Sequence, residues 1–165
     1  NRPPREAVGL FDELEVVLES SNAASGPWFF REHRKTKSHT GIGHSYEALE
    51  LASDFARLLL ANAEHFETFD EVYALTSRAF RAFSSGAPPI ATLVKALFRL
   101  ARMEGLPVKE DWLVHLPPAV LDDALTILKT PGDTLQMEPE RLEQVLDALE
   151  FWFREHTDFR FSQNG

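Results

Sequence analysis

The chain has no cysteine among its 165 residues. That excludes a disulfide framework and any thiolate zinc site, and it makes a reducing cytoplasm the expected compartment. No apolar run approaches the ~20 residues of a membrane-spanning helix, and the first residues lack the basic, apolar and small-residue succession of a signal peptide. Catalytic signatures are missing as well. There is no HExxH, no GxSxG and no P-loop, and Gly41-Ile42-Gly43 lacks the third glycine of a dinucleotide fingerprint. The histidines His33, His39, His44, His65, His115 and His156 share no spacing with a carboxylate that a zinc or iron site would need. Adjacent acids such as Glu110-Asp111 and Asp122-Asp123 point apart on a helix and read as solvated charge. No catalytic residue, metal ligand or cofactor is therefore expected, and the chain reads as a non-enzyme.

What is present is an apolar fraction of 44%, with 13 Phe and 3 Trp, enough for a chain of this length to bury a substantial core. The net charge of -9 is unevenly spread. Up to residue 44 the cations Arg2, Arg5, Arg31, Arg34, Lys35 and Lys37 are matched in number by Glu6, Asp12, Glu13, Glu15, Glu19 and Glu32. The whole excess thus lies in residues 45 to 165. The hydrophobic rhythm changes at the same place, across Gly41-Ile42-Gly43-His44-Ser45-Tyr46. A glycine pair there tolerates the positive φ and sharp turning with which a chain leaves a sheet and enters a helix. Two domains, 1 to 44 and 45 to 165, are expected to meet at this seam.

In the front piece Leu10, Asp12, Leu14, Val16 and Leu18 alternate with Phe11, Glu13, Glu15, Val17 and Glu19. This is close to the period of a half-buried strand with an acidic outer face, and Leu14, Val16 and Leu18 are its expected packed side. Asn22, Ser25, Gly26 and Pro27 carry turn chemistry, and Trp28-Phe29-Phe30 opens a second strand toward Lys37. The two should pair antiparallel. A lone two-stranded hairpin is marginal in water, so further strands or the helices are expected to cover it. Arg2-Pro3-Pro4-Arg5 reads as a linker, and a chain opening on Asn1 rather than Met is expected to have lost sequence upstream.

After the seam the spacing is helical almost throughout. A first helix from Ser45 to about residue 62 places Tyr46, Leu49, Ala52, Ala56, Leu59 and Leu60 at helical intervals, with Ser45 as N-cap. Thr68 and Glu71 form a capping box for a second, with Val72, Leu75, Ala79, Phe80 and Phe83 on one face and a stop at Ser84-Ser85-Gly86. A third follows Pro88-Pro89 and ends at Gly105, a fourth follows Pro117-Pro118 to about residue 129, and a fifth starts near Pro139. The expected fold class is α+β, mainly α: a five-helix bundle-like domain after a short antiparallel β segment. Leu49, Ala52, Leu59, Leu75, Phe80, Leu97, Phe98, Leu146 and Trp152 are expected to share its core.

Two groups of cations are candidate binding sites. Arg31, Arg34, Lys35 and Lys37 give residues 31 to 39 a net charge of +3 directly after Trp28-Phe29-Phe30. Cations beside exposed rings suit single-stranded nucleic acid, since phosphates pair with the charges and bases stack on the rings. The alternative is that Trp28 and Phe30 anchor a core and the basic run is a solvated strand end. On the third helix Lys95, Arg99 and Arg102 fall on one face beside Leu100 and Met103, a stripe that suits a peptide with an acidic, apolar end. A solvated helix face is again the alternative.

The strand Gly9-Leu10-Phe11-Asp12-Glu13-Leu14-Glu15-Val16-Val17-Leu18, the turn, the aromatic-to-basic strand and the helix entry Ser45-Tyr46-Glu47-Ala48-Leu49, continuing Leu51-Ala52-Ser53-Asp54-Phe55-Ala56, resemble the RecO family of recombination and repair mediators. The resemblance implies the late strands of an N-terminal OB-fold barrel followed by a helical domain, with the first barrel strands upstream. Many members insert a four-cysteine zinc module that this chain lacks. It further implies a non-catalytic mediator at the bacterial nucleoid that helps to load a recombinase. Its partners would be single-stranded DNA at Arg31, Arg34, Lys35, Lys37 and Trp28, the C-terminal tail of single-strand DNA-binding protein at Lys95, Arg99 and Arg102, and a RecR-like protein. A helical protein-interaction module without nucleic-acid binding is the other reading the residues allow, since an acidic bundle needs no ligand.

Overall fold

The computed structural model describes residues 7 to 21 and 26 to 161. The expected linker Arg2-Pro3-Pro4-Arg5 and the turn residues Asn22 and Ser25 lie outside them. The fold is mainly helical with one two-stranded antiparallel sheet, and the chain divides into two compact units, Asn1–Thr40 and Gly41–Gly165.

In the first unit β1 (Glu13–Ser20) pairs with β2 (Trp28–Lys37). Gly9 to Phe11, expected in the strand, precede it, and Gly9 N–H donates to the Asp12 carboxylate at 2.7 Å. Val16 stands opposite His33 and Leu18 opposite Phe30, with register shifts after Glu13 and Val17. Opposed residues share a face. One face therefore carries Val16, Leu18, Phe30 and Trp28, and the other carries Glu13, Glu15 and Glu19 against the β2 cations. Within this unit Leu14 is half-buried, and no layer of the unit itself covers Val16 and Leu18, which are 44% and 50% exposed. Alternation sorts side chains onto two faces, but it does not supply a layer to cover either one. Among the described residues of this unit, the buried ones, Phe11, Glu13 and His39, lie at its foot.

A 3-10 turn, Thr40–His44, spans the boundary, and the second unit continues with α1 (Tyr46–Ala61), α2 (Phe69–Ser84) and α3 (Pro89–Met103). A π-helical turn, Val108–Trp112, runs into the short α4 (Leu113–His115), and α5 (Pro118–Lys129) and α6 (Pro139–His156) complete it. Ser45 caps α1 by accepting from the Ala48 amide at 3.3 Å. Proline opens α3, α5 and α6, where its missing N–H is unneeded. Gly86 and Gly105 close α2 and α3 at φ 83° and 70°, the left-handed region in which glycine is unpenalised. The seam glycine has a different reason. A Cβ on Gly41 would meet the Ser84 carbonyl oxygen at 2.3 Å, so close packing, not positive φ, demands glycine there.

α3 is the central helix. Ile90, Ala91, Leu93, Val94, Ala96, Leu97, Leu100 and Ala101 are all buried, and the helix packs on α1, α2, α5 and α6. A helix apolar on most of its circumference belongs inside. Phe55, Phe83, Leu97, Leu149 and Phe153 are almost completely enclosed. The buried line of α1 runs through Ala48, Ala52, Phe55 and Leu59, which leaves Tyr46 and Leu60 exposed. Leu49, Phe98 and Leu146 are only half-buried, at the edge of the core they were expected to share. The buried Asp123 carboxylate on α5 is held by Arg141 of α6 at 3.0 Å. Among the described residues no helix is long and apolar enough to cross a membrane.

Candidate functional site

On one side of α3 Lys95 and Met103 are half-buried and Arg99 and Arg102 are exposed. Beside it α2 contributes Leu75, Arg78, Ala79 and Ala82, and the two helices enclose a groove of about 240 Å³. The floor is made of small residues, Ala79, Ala82, Ala87, Ala91 and Ala96, with Pro131 and Gly132 at one end. Short side chains here cannot fill the space between the helix ridges, so apolar backbone and Cβ surface remains open. An adjoining basin of about 430 Å³ is lined by Glu71, Ala74, Leu75, Arg78, Arg99, Arg102 and Met103. Arg78 and Arg99 border both spaces.

The three cations expected to act together are thus brought to one trough, and a fourth, Arg78, joins them from α2. Arg78 is not legible as a partner of this stripe from sequence, because it sits a helix away; its only local sign is its place beside Leu75 and Ala79 on the α2 face. Leu100, expected to flank the stripe, is fully buried instead. The Lys95 ammonium donates to the Thr130 carbonyl, and burial, then the Arg99 charge, holds its pKa below the usual lysine value against the pull of Asp133. At the other end the Glu104 carboxyl is pushed up by burial, then by Glu67 and Glu71. The trough is therefore cationic in its middle and anionic at one end. An acidic ligand group is favoured at Arg78, Arg99 and Lys95 and repelled from the Glu71 end.

The hairpin offers a different surface. Trp28, Phe29 and Phe30 are exposed at 67%, 55% and 56%, so the rings are not core anchors. Phe30 lies against His33 with ring centroids 5.6 Å apart. The cations expected to hold phosphates are all engaged with groups of the same unit. Arg31 pairs with Glu19, Arg34 with Glu15 at 3.0 Å, Lys37 with Glu13 at 3.1 Å, and Lys35 with Asp12 at 2.9 Å. Lys35 also donates to the Ala7 carbonyl at 2.8 Å. Sequence neighbours had shown +3; the strand opposite cancels it. The Arg31–Glu19 and Arg34–Glu15 pairs are exposed and weak, on the order of 0 to 1 kcal/mol, so a phosphate can replace either carboxylate, whereas the carboxylates of Asp12 and Glu13 are buried and hold Lys35 and Lys37 more firmly. The exchange yields less than a contact to an unengaged cation would.

Among the described residues no three His, Asp or Glu side chains converge as a metal site requires. Comparison of the chain with protein-family models, curated proteins and solved structures finds no match.

Proposed function

We propose that this protein is a non-catalytic mediator of DNA repair and recombination resembling RecO, whose α2–α3 trough receives the acidic, apolar tail of single-strand DNA-binding protein. The observation that carries the proposal is the joining of Arg78, Arg99 and Lys95 around an alanine floor. Apolar tail side chains enter the groove, and the tail carboxylates are held by guanidinium groups. On this reading the exposed rings Trp28 and Phe30 stack bases of single-stranded DNA, Arg31 and Arg34 exchange carboxylates for phosphates, and Lys35 and Lys37 add positive charge beside them. The protein then acts with a RecR-like partner in loading a recombinase, in the cytoplasm at the nucleoid.

One observation favours a second reading, a helical protein-interaction module that does not bind nucleic acid: the hairpin cations are already engaged by Glu19, Glu15, Asp12 and Glu13. Two titrations separate the readings. Arg99→Glu is expected to weaken binding of a labelled tail peptide at least about tenfold, by replacing attraction with repulsion, while a labelled single-stranded oligonucleotide binds as before. Reversing Arg31 and Arg34 to Glu should do the opposite. Unchanged peptide binding in Arg99→Glu refutes the trough as the tail site, and wild-type protein that binds no oligonucleotide at low salt leaves the interaction module as the function.

A further inference from the structure

Asn62, at the C-terminal end of α1, is the most deeply buried polar residue among those described, with no exposed surface. A carboxamide taken out of water must find partners for both its oxygen and its amino group. The amino group donates to the Leu58 carbonyl at 2.7 Å, one turn back, and to the Arg160 carbonyl at 3.0 Å. The oxygen accepts from the Arg160 amide at 2.9 Å. Asn62 thus makes with the backbone of Arg160 the paired donor and acceptor bonds that a neighbouring strand residue would make.

Residues 157 to 161 lie along this site without regular secondary structure. Phe159 packs against Phe153 and Phe66 with centroids at 5.6 and 6.2 Å, and Phe161 packs against Phe153 at 5.6 Å under the Arg154 guanidinium. Asp158 and Arg160 are exposed. Every second side chain is directed inward, and the backbone between the two rings is gripped by one buried amide. The Arg160 side chain points away from this grip to an exposed pair with Glu64 at 3.5 Å, a contact that contributes little. A sequence of aromatic, any polar residue, aromatic therefore satisfies it.

We infer that the cleft formed by Asn62, Phe66, Phe153 and Arg154 is a binding site for an extended aromatic-polar-aromatic peptide, and that Phe159 and Phe161 are its built-in occupant. The rings of this strap are only half-buried, but they cover the buried rings of Phe66 and Phe153, so an empty cleft exposes apolar surface that a replacement segment would hide again. Lifting it also strands the buried Asn62 amide, so the open cleft favours a replacement that brings its own amide and carbonyl. The occupant exchanged in is a segment of that pattern on another protein. This inference concerns a different site from the α2–α3 trough and stands or falls without it.

The test uses the full chain and a fluorescein-labelled peptide with the sequence of residues 156 to 163. In the wild type the strap competes at an effective concentration on the order of millimolar, so the peptide binds weakly. The variant Phe159→Ala with Phe161→Ala empties the cleft and should bind the peptide at least roughly tenfold more tightly. A peptide with both phenylalanines replaced should not bind, and adding Asn62→Leu to the variant should remove the gain. Equal affinity of the two proteins, or binding indifferent to the peptide's rings, overturns the inference. Should the variant fail to fold, amide hydrogen exchange at Arg160 in the wild type decides: millimolar peptide must accelerate it several-fold, and an unchanged rate overturns the proposal.

Discussion

The hairpin and the helical unit solve the same problem in opposite ways. The helical unit carries the chain's whole excess negative charge and surrounds α3 with apolar surface, so that Phe55, Val94, Leu97 and Phe153 lose all contact with water. The hairpin has as many acids as bases and keeps Val16, Val17, Leu18 and the Trp28-Phe29-Phe30 row exposed. Its order comes from backbone pairing, a ladder of ion pairs and a polar foot. In that foot Asp12 accepts from Gly9 and Ser38, and Glu13 meets His39 at 2.8 Å. Apolar residues are present in both units. What differs is whether the unit itself supplies a second layer to remove them from water.

The sharpest contrast should come from truncation in each unit. Phe55→Ala removes an enclosed ring and is expected to cost about 3 to 5 kcal/mol, whereas Val17→Ala, on the exposed hairpin, should stay within about 0.5 kcal/mol. Urea unfolding of the two variants checks this. A large loss for Val17→Ala would show that the hairpin face is covered in solution. Phe98→Ala, at the half-buried edge beside Trp112, should fall between them.

The seam supplies the next contrast. Gly41→Ala drives a Cβ into the Ser84 carbonyl and should cost about 1 to 3 kcal/mol, the usual range for overpacking. Gly43→Ala meets open space and should change stability by less than about 0.5 kcal/mol. Equal melting temperatures for the two variants would contradict the close approach of the seam to α2.

Acid should loosen the hairpin foot selectively. The Gly9 amide, then the Ser38 hydroxyl and Lys35, hold the Asp12 carboxyl down at about 2, against an ordinary 3.8. A carboxylate with a lowered folded pKa contributes stability that is complete above the ordinary value and is lost as pH falls toward the folded one. Between pH 4 and pH 2 the amides near Gly9 and Ser38 should therefore lose exchange protection before those of α3. A carboxyl chemical shift for Asp12 that titrates near 4 would remove the predicted bonds.

The smallest effect on folding, and the most telling for function, belongs to Trp28→Ala. The ring is exposed, so the melting curve should be almost unchanged. Loss of stacking is expected to weaken single-stranded oligonucleotide binding by about 1 to 3 kcal/mol. An unchanged affinity would detach the aromatic row from nucleic acid and favour a protein partner for that face.

Much of this architecture was legible in the chain. The prolines that open α3, α5 and α6, the glycines that close α2 and α3, and the capping Ser45 act within a few residues of themselves, so their meaning is carried by sequence. The two antiparallel strands follow from local periodicity in the same way. Tertiary structure alone decided the rest. It cancelled the basic run of β2 against the acids of β1, exposed Val16 and Leu18, placed Arg78 beside Arg99, and joined Asn62 to Arg160 from 98 positions away. Periodicity tells a side chain which face it occupies. Only the packing of one element on another tells that face what, if anything, lies against it.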